Sequence, residues 1–135
     1  MKLLPGLLLA TSLLTGCVKY NSGGCNNENN TTGIKGNWEL RSVAGGMSVG
    51  GNFSPGNGNI VKFTDTNYEK IRNGQIIDQG TYTLSSGNNP QTESMMNRIN
   101  YHGGYYEYYE IVNRQLILYS GVVAADGTIS RYARQ

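Results

Sequence analysis

The pair Asn73-Gly74 constrains this chain more than any other two residues. Both central positions of a two-residue hairpin turn need positive φ, and asparagine followed by glycine supplies them readily. On each side of the pair the side chains alternate with period two. Tyr68 to Arg72 reads as one strand and Gln75 to Leu84 as the next, with Tyr82 and Leu84 alternating against Thr81 and Thr83. The same period runs from Lys35 onward. Trp38, Leu40 and Ser42 share one face of a first strand, with Glu39 and Arg41 on the other. Val61 and Phe63 alternate with Lys62 and Thr64 in a second strand, and Asp65-Thr66-Asn67 turns the chain toward Tyr68. Ser86-Gly87-Asn88-Asn89-Pro90 predicts a break after Leu84. Met95 to Tyr101 is then a fifth strand, turned by Gly103-Gly104 into a sixth, Tyr105 to Val112. Asn113-Arg114 leads to a seventh, Gln115 to Val123, and Asp126-Gly127 to an eighth, Thr128 to Arg134.

No stretch of this region carries a helical period. Eight strands joined in order by short turns predict an all-β fold, an eight-stranded antiparallel up-and-down barrel. Closure removes the two exposed edges that an open sheet would present. Such an interior is just wide enough to be filled by side chains or to hold one small ligand. Glycine numbers 19 and proline only 3, which suits many tight turns. The 135 residues make one domain at most, and 38% hydrophobic residues give it a real but modest core.

The one long connection, Ala44 to Asn59, lies between the first two strands and is rich in glycine. A loop of that length in a small domain is either a lid or a disordered excursion. Met47, Val49 and Phe53 favour a lid, because they can fold over an apolar mouth. The glycines make no phosphate cradle, since no Lys-Ser/Thr follows and no helix opens.

Catalytic chemistry is not suggested. There is no nucleophile elbow, no zinc-binding histidine pair and no P-loop. The single His102 adjoins Gly103-Gly104 in a solvated turn, and Glu107 and Glu110 fall on opposite faces of one strand. No enzyme activity, metal or cofactor is expected. With a net charge of +2 and no basic block, nucleic acid is not an expected partner.

Ten tyrosines are present, and Tyr101, Tyr105, Tyr106, Tyr108 and Tyr109 crowd into one hairpin. Tyr105, Glu107, Tyr109 and Ile111 face one way, and Tyr106, Tyr108, Glu110 and Val112 the other. Strand propensity and packing account for such a cluster. An aromatic binding wall for an amphipathic ligand accounts for it too. Which face is inward depends on the register; Tyr105 and Tyr109 are the candidate ligand contacts on one of them.

The chain begins with a leader. Lys2 supplies a positive charge, Leu3 to Leu14 an apolar stretch of about a dozen residues, and Leu14-Thr15-Gly16-Cys17 closes it. The stretch is shorter than the ~20 residues a spanning helix needs. It resembles the signal of bacterial lipoproteins. That resemblance implies cleavage before Cys17, lipidation of its thiol and attachment to a membrane. Residues 17–33, Asn-rich and nearly without apolar side chains, read as a flexible tether ahead of a domain at 34–135. No acidic run follows Cys17, which favours the periplasmic face of the outer membrane over the cell surface. Cys25 is then left without a partner in the chain: it pairs between molecules, is a reactive thiol, or is a plain exposed cysteine on the tether.

Gly36-Asn37-Trp38 at the entry to the first strand resembles the Gly-x-Trp signature of lipocalins, and the long loop after it resembles their lid. Gly80-Thr81-Tyr82-Thr83-Leu84 and Tyr132-Ala133-Arg134 are similar to segments of small lipocalin-like lipoproteins of Bacteroidota. The resemblance implies that Trp38 packs at the closed end of a barrel beneath Arg134, as a structural device. It implies a monomeric envelope protein binding a small apolar or amphipathic ligand. The chain ends at its eighth strand, without the helix and disulfide of full lipocalins. A solid barrel that recognises another envelope protein, as an inhibitor or accessory, therefore stands as the alternative.

Overall fold

The computed structural model describes residues 33–46, 50–90, 93–121 and 126–135. The leader, Cys17, residues 18–32 of the tether with Cys25, Met47 and Val49 lie outside the described residues. The strands are β1 (Gly36–Gly45), β2 (Gly51–Asn52), β3 (Ile60–Phe63), β4 (Asn67–Arg72) and β5 (Gln75–Asn89). They continue with β6 (Ser94–Tyr101), β7 (Tyr106–Val112), β8 (Gln115–Ser120) and β9 (Thr128–Arg134). There is no helix among the described residues. All ladders are antiparallel, and β1 pairs with β9 as well as with β3, so the sheet closes. The result is an eight-stranded up-and-down barrel of lipocalin-like architecture, with β2 as a short extra strand on the margin of β1.

At Asn73 and Gly74 φ is 51° and 77°, the pair of left-handed values that the β4–β5 hairpin requires. Asn113 and Arg114 make the β7–β8 turn in the same way, with φ 50° and 63°, although Arg114 carries a side chain.

Three local expectations are corrected. Ser42 does not share a face with Trp38 and Leu40. The β1–β9 register slips between Leu40 and Ser42, leaving Arg41 as an extra residue, so the inward series runs Trp38, Leu40, Val43. The segment Ser86–Asn89 does not end the fourth strand. Its residues stay paired with β6, Ser86 opposite Asn97 and Asn89 opposite Ser94, and β5 outruns its neighbour β4. Polar, Gly-containing sequence lowers strand propensity, but a ladder already in register on one side overrides it. The long connection is shorter than read, because Ala44 and Gly45 belong to β1 and Gly51–Asn52 form β2.

The core is built from inward residues of the barrel wall. Trp38, Val61, Phe63, Tyr68, Ile99, Leu116 and Leu118 are almost completely buried. Phe63 and Tyr82 meet edge to face at 5.1 Å, as do Tyr68 and Tyr101 at 4.6 Å. One end is closed. There Trp38 is wholly buried, and its Nε1 donates to the Ile34 carbonyl at 2.6 Å. The Arg134 guanidinium lies 5.1 Å from the indole centroid and donates through Nη2 to the Lys35 carbonyl at 2.7 Å. Gly36, at φ 131°, passes so close beneath Arg134 that a Cβ there would sit 3.0 Å from Nη2. The first strand thus begins, and the last strand finishes, at this end.

Candidate functional site

The opposite end is open. A cavity of ≈ 430 Å³ enters the barrel there, within the size range of small-molecule sites. Leu40 and Val43 of β1, Ile60 and Val61 of β3, Ile71 of β4 and Tyr132 of β9 form its walls. Phe53 and Ile77 stand at its rim, and Lys70 and Arg72 of β4 bring charge to it. The position of Val43 depends on the bulge at Arg41, since strict alternation from Trp38 would turn Val43 outward.

The segment after β2 is anchored to β1 beside this cavity. Phe53 N donates to Arg41 O at 2.8 Å, and Leu40 N donates to Asn59 O at 2.9 Å. Asn57 ties the turn between them, donating from Nδ2 to Leu40 O and Ser54 O and accepting from Asn59 N. Glu39 is buried under the same turn. Arg41 donates to its carboxylate at 2.7 Å, and this bond, followed by the Gly56 N–H, holds its pKa below the ordinary carboxylate value. Phe53 is thus tied to β1 through its own backbone.

Next to the cavity the inner wall is polar. Tyr101 donates to Glu107 Oε2 at 2.5 Å, and the Ser120 hydroxyl donates to Oε1 of the same carboxylate. Lys70 Nζ approaches Glu107 at 3.5 Å and sits 4.6 Å from the Tyr101 ring centroid. Tyr105 stacks on Tyr101 with centroids 4.5 Å apart, and its hydroxyl donates to Asp78 at 2.7 Å. Tyr68 shares both partners, bonding Asp78 at 3.0 Å and the Tyr105 hydroxyl at 3.2 Å. Tyr105 and Asp78 so form a strap from the β6–β7 turn to β5 across one side of the mouth. Burial, aided by the Glu107 charge, pushes the Tyr101 hydroxyl far up and the Tyr132 hydroxyl up to about 12. Both remain neutral donors at ordinary pH.

The inward face of the Tyr-rich strand is the one carrying Glu107, Tyr109 and Ile111, with Tyr109 and Ile111 packed on the core. Tyr106 and Tyr108 lie outside, with the Arg98 guanidinium 5.0 Å from the Tyr106 ring. Of the candidate contacts read from the sequence, Phe53 is at the cavity and Tyr105 beside it in the strap. Tyr109 is not brought there; it lines a separate hollow with Ile34 and Ile111. His102 is exposed in the β6–β7 turn, and the described residues hold no group of three potential metal ligands. Lys70 and Arg72 were not singled out from the sequence. Their signal was nonetheless present, because both alternate with Tyr68 on one face of β4.

The arrangement can hold an apolar body against Leu40, Val43 and Val61 while presenting N–H and O–H donors to a polar end. Comparison with protein-family models, with curated proteins and with solved structures finds no match for this chain, so its function is argued from this geometry.

Proposed function

We propose that this chain is a binding protein for a small amphipathic molecule, which it holds in the open mouth of the barrel. The observation that carries the reading is the open cavity of ≈ 430 Å³, whose walls combine Leu40, Val43, Ile60, Val61 and Ile71 with polar side chains from several strands. An apolar tail buried there gains ~0.8 kcal/mol per methylene. The lipocalin-like architecture and the packing of Gly36, Trp38 and Arg134 support the kinship suggested by the sequence. The leader supports a second part of the reading: a lipid on Cys17 ties the protein to the envelope, at the periplasmic face of the outer membrane.

Two experiments test this. An environment-sensitive naphthylamine probe should brighten on binding the wild-type chain. Val43→Phe should fill the cavity and weaken that binding tenfold or more with little change in melting temperature. A wild-type chain that leaves the probe dark would favour the alternative, a solid barrel that recognises another envelope protein. The exposed Tyr106 and its Arg98 neighbour would then be the first surface to mutate. For the anchor, Cys17→Ser should abolish fatty-acid labelling in a bacterial host and leave unprocessed precursor. Undiminished labelling of that variant would remove Cys17 from the reading.

A further inference from the structure

We infer that Asn73 is a site of spontaneous covalent modification, at which the carboxamide is lost to the neighbouring backbone and an aspartyl or isoaspartyl residue is left in the β4–β5 turn. Two Asn-Gly pairs occur in the chain, Asn57-Gly58 and Asn73-Gly74. In both, the glycine carries no side chain to shield its own amide nitrogen, which can therefore reach the asparagine Cγ. By sequence the two are equivalent, but their surroundings differ. The Asn57 carboxamide is held by three hydrogen bonds: Nδ2 donates to Leu40 O at 2.9 Å and to Ser54 O at 2.7 Å, and Oδ1 accepts from Asn59 N at 2.9 Å. Swinging its Cγ toward Gly58 N gives these up. Asn73 is exposed at the tip of a hairpin, and its carboxamide has no hydrogen bond among the described residues. A Cβ built on Gly74 would meet nothing within 4 Å, so no neighbour crowds the approach. Each turn must flex to bring nitrogen to carbon. At Asn73 that motion sacrifices no side-chain bond, and exposed loop tips are where local opening costs least.

The step is a substitution followed by a hydrolysis, with no change of oxidation state. The Gly74 nitrogen gives its proton to hydroxide and attacks Asn73 Cγ. The Cγ–Nδ2 bond breaks, and ammonia leaves with a proton from water. The product is a five-membered succinimide. Water then opens the ring at one of two bonds. Cleavage between Cγ and the Gly74 nitrogen gives aspartate. Cleavage between the Asn73 carbonyl carbon and that nitrogen gives isoaspartate, in which the chain runs through Cβ and Cγ. Either product places a negative charge at the cavity, which Asn73 lines beside Arg72. The Gly58 backbone is close by, since a Cβ on it would sit 3.7 Å from Asn73 Cα. The isoaspartyl form also lengthens the backbone of a turn whose geometry depends on having two residues.

The test is incubation of the full chain in mildly alkaline buffer, folded and in urea, with peptide mapping by mass spectrometry over time. In the folded chain Asn73 should convert at least about tenfold faster than Asn57, because the three bonds at Asn57 must be given up together. In urea the two should convert at similar rates. Asn73→Gly keeps a residue suited to the left-handed turn and should remove the early mass gain from the folded chain. Conversion of Asn57 as fast as Asn73 in the folded chain would overturn the inference. So would an Asn73 that converts in urea and stays intact in the folded barrel, or an early mass gain that persists in Asn73→Gly.

Discussion

At the closed end, the indole of Trp38 is covered on every side and its one polar atom is bonded to Ile34. At the mouth, Glu107 is buried in the wall to the same degree as Tyr82, yet its surroundings are a lysine and two hydroxyls. The first region is stabilised by apolar area and by a fit between Arg134 and Gly36. The second depends on every polar atom finding its partner, because a buried donor or acceptor left without one costs more than the bond contributed. The comparison teaches that a small barrel can place its stability at one end and its chemistry at the other. Stability at the closed end then permits a mouth that is partly empty.

Trp38 carries the largest expected effect. Trp38→Ala should cost ~3–5 kcal/mol in a denaturant titration, a large part of what a domain this size possesses. A loss below ~1 kcal/mol would show that the closed end is not where stability resides. Glu107→Gln sharpens the other side. The amide keeps the shape but cannot accept two hydroxyl donors and face an ammonium with the same charge, so a loss of ~1–3 kcal/mol is expected. An unchanged denaturation midpoint would mean that the polar wall is incidental.

The smallest effect concerns pH. The Tyr132 hydroxyl titrates near 10.0 in the unfolded chain and at about 12 in the barrel, chiefly through burial. A folded-state pKa above the unfolded one means that the tyrosine's contribution is fully present below pH 10 and declines as pH rises toward 12. Tyr132→Phe should therefore flatten part of the alkaline decline in stability and leave the neutral value within ~1 kcal/mol. If the variant and the wild type decline in parallel between pH 10 and 12, the tyrosine does not couple the mouth to alkali.

The barrel was legible because its signals are local. Asn73-Gly74 fixes one turn, and alternation around Val61, Phe63, Tyr68 and Tyr82 fixes which residues face the core. The site was less legible because it depends on non-local facts. Val43 points inward only through a register slip against β9, which no pattern within β1 announces. Tyr109 and Tyr105 are equivalent by alternation, but one packs near Ile34 and the other spans to Asp78, a difference created by the height of each strand in the barrel. The inward direction of Lys70 was legible from its alternation with Tyr68, but its partners across the barrel were not. The persistence of β5 through Ser86–Asn89 is likewise decided by β6 and not by its own residues.

The meeting of first and last strands at the closed end puts the start of the first strand and the end of the last away from the cavity. Trp38 pairs with Arg134, and Gln135 N donates to Asn37 O at 3.0 Å, so both ends of the barrel's chain are handled from one pole. A protein held through its N-terminal side is then held by the pole opposite its opening. If the proposed anchor at Cys17 and the proposed ligand site both hold, a ligand would enter from water at the pole away from the anchor. A fusion to either end would likewise leave the doorway clear.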